Sequence, residues 1–393
     1  MTAGSTGRGP LTGLRVVELA GIGPAPFAAM MLGDLGANVI RIDRPGGHAG
    51  NPVPPKLDLL NRNRRSIELD LKNPADLDVA RTLLTSADVL IEGYRPGVAE
   101  RLGLGPEDCH AVNPRLVYAR MTGWGQTGPL ADRAGHDINY ISRVGALEPI
   151  GPREGTPVIP LNIVGDFGGG GMLLAFGLLA AVHHATRTGE GQVVDAAITD
   201  GTALLTTMLH TWRAAGLWID RRAANMLDGG AHFYNVYATA DGRFLSVGAI
   251  EPRFYRAFLN GLGVPFESDW ITSHDDAGLW PAMRSRISEI IQCRTLEEWL
   301  AIFEGTDACV SPVLTPAEAL TDAHNRARAT FIDVDGVPQP APAPRFDRTP
   351  PAHPRRQPVP GEHGDEIRSA LLGGNPWRRN PGAAAGERKD HHG

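Results

Sequence analysis

Between Gly13 and Pro45 the chain reads GLRVVELAGIGPAPFAAMMLGDLGANVIRIDRP, and no other stretch limits its possible folds so strongly. RVVELA is an apolar run of strand length, Pro26 to Leu35 is a helix with proline at its start, and NVIRID is a second strand. Two strands joined through a helix run parallel, because the crossover is too long for a hairpin. The pattern then repeats. SIELDLKNPADLDVARTLLTSADVLIEGYRPG predicts a strand over Ser66 to Leu71, a helix capped by Asn73 with Pro74 in its first turn, and a strand over Asp88 to Glu92. A short helix around Pro106 to Val112 and the strand LVYARMTGW follow. This alternation predicts a doubly wound, Rossmann-like α/β domain.

A long helix is expected from Asp166 to Thr186. Its segment FGGGGMLLAFGLLAAV, Phe167 to Val182, lacks charge but is shorter than the ~20 apolar residues of a membrane span. It therefore reads as a buried core helix whose glycines permit close packing. GQVVDAAITDG adds a strand leading into a helix.

Near Asp228 the texture changes. FYNVYATADGRFLSVGAI predicts an antiparallel hairpin turning at Asp241-Gly242, followed by helices over Glu251 to Leu262 and Trp280 to Ile291. Thr295 with Glu298, and Thr315 with Glu318, match capping boxes that open two more. From Gly336 to Gly361 recurrent proline predicts an extended crossing, and EHGDEIRSALLG one last helix. The expected organisation is a large α/β domain over residues 10–200, a linker helix region over 201–227, and a small α+β domain over 228–325. A return segment over 326–373 completes the large domain, and a polar tail over 374–393 is expected to be disordered.

A formal net charge of -6 gives no electrostatic reason to expect nucleic acid or an anionic membrane as a partner. Cys109, Cys293 and Cys309, without a C-x-x-C spacing, suit neither a disulfide framework nor a zinc site, and the opening MTAGSTGRGP has no apolar secretory core. A cytoplasmic protein without a metal is expected.

Gly21-Ile-Gly23-Pro-Ala-Pro26 imitates a dinucleotide fingerprint, but its third glycine is missing. Pro24 and Pro26 also lack the amide hydrogens that a pyrophosphate requires. The cations at strand ends say more: Arg41 and Arg44 follow the second strand, Lys72 the third, Arg95 and Arg101 the fourth. Open parallel sheets bind ligands outside these ends, so the set suits a phosphate-bearing ligand, while any single member reads equally as surface charge. His136-Asp137 stands where a glycine-rich loop meets the helical stretch INYISRVGAL. There the amide of Asp137 or Ile138 can stabilise an oxyanion while the imidazole moves a proton. Asp166, in NIVGDFGGGG, and Glu251, before Pro252, read by themselves as helix caps.

The motifs GLRVVELAGIGP, LGDLGANVIRIDRP, ADVLIEGYRPGVAERLGLGPE, YARMTGWGQTGP, AGHDINYIS, LNIVGDFGGGGM, GQVVDAAITDG and ADGRFLSVGAIEPRFY span most of the interval from Pro10 to Arg348. In them the chain resembles the family III CoA transferase superfamily, and GHDINY with GDFGGG favours its α-methylacyl-CoA racemase branch. The resemblance implies an interlocked homodimer acting on acyl-CoA, with CoA as part of the substrate and no separate cofactor. It implies proton transfer by His136 and Asp166, with Asp137 offering its amide and Glu251 arriving from the small domain of a second subunit to support the histidine. It further implies CoA contacts at Arg44, Leu69, Asp70, Leu71, Lys72, Gly93, Tyr94, Arg95, Arg101, Gly135, Ile138, Asn139 and Tyr140. Arg143 and the pair His232-Phe233 depart from the more usual residues, which points to altered acyl-chain preference.

The expected reaction is inversion of a 2-methyl centre by 1,1-proton transfer through an enolate. The rival within the same fold is a CoA transferase in which Asp166 attacks the thioester and forms an anhydride, a role that leaves His136 without work. A CoA-binding protein without catalysis is the third reading.

Overall fold

The computed structural model describes residues 9–47, 53–265 and 268–377. Residues 378–393 of the expected tail lie outside them. The described residues fall into two compact units. One comprises the chain up to Tyr140, Asn162–Leu204 and the chain from Ala329 onward; the other comprises Ile141–Leu161 and Leu205–Arg328.

The first unit opens with β1 (Arg15–Leu19), α1 (Pro24–Asp34), β2 (Asn38–Asp43), β3 (Arg64–Glu68), α2 (Pro74–Leu84) and β4 (Val89–Glu92). It continues through α3 (Val98–Arg101), α4 (Pro106–Val112), β5 (Val117–Thr122), α5 (Asp137–Arg143), a π-helix (Ile163–Met172), α6 (Leu173–Thr188), β6 (Val193–Ala197) and α7 (Ile198–Leu205). The six strands form one parallel sheet in the order β3-β2-β1-β4-β5-β6, the doubly wound order whose direction reverses between β1 and β4. Strand alternation divides its apolar residues between two faces: Val16, Val39 and Ile91 pack with Leu32 of α1 and Leu174 of α6, while Val17, Ile40 and Leu90 pack with Leu83 of α2.

Three local readings are corrected. β3 begins at Arg64, earlier than Ser66, because its arginines are buried against carboxylates: Arg64 Nε donates to Glu18 at 3.0 Å with both side chains fully buried, and Arg65 pairs with Glu366 at 3.0 Å. Asp166 does not cap its helix, which starts at Ile163 after Asn162 and is a π-helix before it becomes α6. That long helix is buried on one side alone, with Leu174, Leu178 and Ala181 inside while Phe176 is 75% exposed. Among the described residues Ile163–Thr188 is one helix long and apolar enough to cross a membrane by length and composition.

The second unit holds α8 (Thr207–Ala214), the hairpin β7 (Tyr234–Ala238) and β8 (Phe244–Gly248), α9 (Pro252–Gly261), α10 (Ser268–Asp275), α11 (Trp280–Ile291) and α12 (Leu296–Phe303). Next come β9 (Val310–Pro312), which pairs with β8, then α13 (Pro316–Ala319) and α14 (Ala323–Arg328). Thr295 and Thr315 cap α12 and α13 through the capping boxes read from sequence. Phe233, Tyr255, Phe258, Ile287 and Trp299 form the core of this unit.

The proline-rich return contains a hairpin that the sequence reading missed. β10 (Phe331–Val334) pairs with β11 (Val337–Pro340) about Asp335 and Gly336, both at positive φ. The chain then runs along β3, where the amide of Arg355 donates to Asn63 Oδ1 and that of His363 to the Ser66 carbonyl, and ends in α15 (Gly364–Leu372) with Ile367 buried.

The Glu18–Arg64 pair has a measurable consequence. Arg64→Ala leaves a carboxylate buried without its counter-charge and is expected to cost about 3–5 kcal/mol of stability, read as a lower urea midpoint at unchanged slope. A loss below about 1 kcal/mol, the range of exposed pairs, would mean that the pair is not structurally dominant.

Candidate active site

The loops after β1, β4, β5 and β6 converge on a cavity of about 420 Å³ in the first unit, at the carboxyl ends of the strands and beside the switch point. Gly23, at φ 70, lets the chain turn sharply from β1 into α1. A methyl group at this position would stand 3.5 Å from Asp166 Oδ2, so α1 begins directly behind that carboxylate. The glycines after Asp166 explain the approach. A Cβ at Gly170 would lie 2.9 Å from Pro24, and one at Gly171 2.7 Å from Phe27, so α1 and the π-helix meet nearly backbone to backbone.

Asp166 lines the cavity half-buried; burial raises its pKa, the Asn162 hydrogen bond at 3.3 Å opposes the rise, and the nearby Asp137 charge adds to it. His136 lines the same cavity, and its charge bears on the Asp166 carboxyl. Its loop is braced by reciprocal bonds: the His136 amide donates to Asn139 Oδ1 at 3.0 Å, and the Asn139 amide to the His136 carbonyl at 2.8 Å. Tyr140 closes the floor, with its hydroxyl bonded to the Gly135 carbonyl and its ring edge-on to Trp124 at 4.7 Å. Gly123 is required beneath it, since a Cβ there would fall 2.1 Å from the tyrosine ring.

Asp137 does more than the sequence suggests. Its side chain is buried, and Oδ2 accepts the amide of Asp166 at 2.6 Å, fastening the start of α5 to the π-helix. The carboxylate is thus the tie between the two segments that carry His136 and Asp166.

The residues expected to contact CoA are spread along the strand ends. Gly93, Tyr94, Arg95, Gly135 and Tyr140 line the cavity. Arg44 and Lys72 are exposed just past β2 and β3, and Arg101 is exposed at the end of α3. Leu69 is buried and Leu71 packs against the same core, while Asp70 accepts the Lys72 amide and donates its own to Asp76. Ile138 and Asn139 lie exposed on α5, outside the cavity lining. Arg41 lies within β2 and not after it, buried and held by Asp43 and Asn61. Sequence reasoning missed Trp124, Arg133, Asn162 and Phe167 on the lining, since single polar or aromatic residues in loops carry no periodic signal. It also missed Glu92, buried at the end of β4, which accepts the Tyr94 amide at 2.7 Å and so fixes the turn bearing Tyr94 and Arg95.

In the second unit, Glu251 occupies the N-cap position of α9, yet its side chain makes no capping bond, so capping does not account for it. His232 and Phe233 are core residues of that unit; burial lowers the His232 pKa to about 3.

Most of the chain is similar to known proteins. The family model described as CoA-transferase family III matches residues 11–364. The alpha-methylacyl-CoA racemases of Mus musculus and Homo sapiens are 47% and 46% identical to the chain, each alignment covering 91% of the chain and 92% of the relative. A solved CAIB/BAIF family protein from Brucella suis superposes with a TM-score of 0.81 at 27% identity, covering 93% of this chain and 100% of its own.

Because the Asp137 charge helps hold the Asp166 pKa up, Asp137→Asn is expected to lower it, moving ionisation of Asp166 toward acid. Carbon-detected NMR titration of labelled aspartate reads this directly. An unchanged or higher midpoint would show that the two carboxylates do not interact.

Proposed function

The chain belongs to CoA-transferase family III, and we propose that within it the chain is an isomerase that epimerises the 2-methyl centre of 2-methylacyl-CoA thioesters. The observation that carries this is the placement of His136 and Asp166 on one cavity, with burial raising the pKa of the carboxyl. A thioester acidifies its α C–H, and an imidazole and a carboxyl lining one cavity form an acid–base pair that suits a reversible 1,1-proton transfer. His136 takes or gives the proton on one face of the enolate and Asp166 on the other, while the Asp137 amide at the start of α5 serves the enolate oxygen. The Asp137 carboxylate, by accepting the Asp166 amide, keeps the two proton carriers at a fixed separation.

Arg95 at the cavity and Arg44, Lys72 and Arg101 beyond it, with the loops at 69–72, 93–95 and 135–140, form the track for the CoA portion in this reading. Ile22, Trp124 and Phe167 offer the acyl chain apolar walls. No resident cofactor is called for, CoA being part of the substrate. The chain is proposed to act as a homodimer in the cytoplasm and to serve lipid metabolism, with Glu251 from the second copy supporting the histidine. Exposed apolar side chains such as Met172, Phe176 and Leu217 support an interface between copies, and three free cysteines support a reducing compartment.

Incubation with a 2-methylacyl-CoA in deuterated water tests the reaction: deuterium enters the α position as configuration is lost, and His136→Ala or Asp166→Ala slows inversion by about 10²–10⁴-fold. Absence of α-deuterium together with acyl exchange onto a free carboxylic acid would instead establish the anhydride-forming transferase. Variants that leave whatever turnover is measured unchanged would take the chemistry away from His136 and Asp166 and favour a CoA-binding protein without catalysis at this site.

A further inference from the structure

The strand β8 ends at Gly248 and α9 starts at Pro252, so Glu251 stands on a short connection that belongs to neither. Each backbone group of that connection whose bond is described is tied down. The Ala249 amide donates to the Phe233 carbonyl at 2.8 Å, and the Glu251 carbonyl accepts the amides of Phe254 and Tyr255, both at 2.9 Å. The Ile250 carbonyl is held differently, by a side chain: Nε2 of His274, on α10, lies 2.6 Å from it.

A carbonyl can only accept, so Nε2 carries the hydrogen. The other ring nitrogen, Nδ1, lies 2.8 Å from Oδ1 of the adjoining Asp275, also an acceptor, so this contact is a hydrogen bond only when Nδ1 carries a second ring hydrogen. Phe233 lies flat against the ring, 4.4 Å between centroids and 19° between planes, and Tyr255 packs at 5.1 Å from it. Tyr255 is in turn fixed by its hydroxyl to His232 at 2.7 Å, inside the core. The imidazole thus has its place set by aromatic packing against Phe233 and Tyr255, and it hands that fixed geometry to the residue preceding Glu251.

We propose that His274 is a positioning residue for catalysis, clamping the Ile250 carbonyl so that the Glu251 carboxylate is presented at a fixed place and angle. The inference rests on the role given to Glu251 above and extends it to a residue on another helix. It also gives the departure at Phe233 a use: an apolar ring in that position stacks on the clamp within the core of its unit.

The test combines two variants at His274 with one at Glu251, all in the full-length protein, with α-proton exchange of 2-methyldecanoyl-CoA as the readout. A misplacement of about 1 Å costs up to about a hundredfold in turnover. His274→Ala is therefore expected to lower kcat by about tenfold or more with KM little changed. His274→Gln, whose amide nitrogen reaches the same carbonyl, is expected to recover most of the loss. In a Glu251→Gln background, His274→Ala is expected to change kcat less than about twofold, because residues acting through one another are not additive. Circular dichroism and thermal unfolding of each variant identify any that fail to fold, for which the glutamine variant then carries the comparison. Equal losses in both backgrounds, or normal turnover in His274→Ala while Glu251→Gln is impaired, would overturn the clamp alone. Normal turnover in Glu251→Gln would overturn the assigned role of Glu251 and the clamp with it.

Discussion

The first unit depends on one buried ion pair. Glu18 lies in the middle of β1, where its neighbours are valine and leucine, and no carboxylate survives in such a place without a counter-charge. Arg64 supplies it from β3, across the intervening strand β2, and the same guanidinium bonds the carbonyl of Pro26 in the first turn of α1. Two strands and a helix start are therefore set by one side chain. Burial lowers the Arg64 pKa while the Glu18 charge opposes the fall, as expected for a cation kept in the interior by its partner. What α1 then does follows by contact: its start packs against the π-helix, and the π-helix carries Asp166.

The candidate site is built more from backbone than from side chains. Glycines at 23, 123, 170 and 171 remove the Cβ atoms that would keep α1, α5 and the π-helix apart. Hydrogen bonds from main-chain amides to Asp137, Asn139 and Glu92 then fix the loops that remain. Precise placement of a proton-transfer pair needs such rigidity, since catalytic groups on loose loops lose orientation faster than they lose contact.

Much of the frame was legible from residue pattern, for a physical reason. Parallel strands buried on both faces read as apolar runs, and the helices between them announce themselves through Asn73-Pro74 and Pro106 at their starts. The start of β3 was hidden because Arg64 and Arg65 look like surface charge until their partners Glu18 and Glu366, far away in sequence, are known. The second hairpin was hidden by Pro338 and Pro340, which are tolerated because β11 pairs on one side only. At the site, GHDINY and GDFGGG marked two segments, but no spacing rule could reveal that the carboxylate of Asp137 joins them.

The π-helix at Ile163–Met172 gives the glycine run a meaning beyond small size. A spiral bonded from i to i+5 is wider than an α-helix and packs more chain into each turn. The extra chain in each turn is carried by Gly169, Gly170 and Gly171, which pack against Thr202, Pro24 and Phe27. The same spiral carries Asp166 on the cavity side. Here the chain is constrained in arithmetic as well as in chemistry: the number of links between the anchored helix and the acid sets the acid's bearing, much as the tooth count of a gear sets its phase.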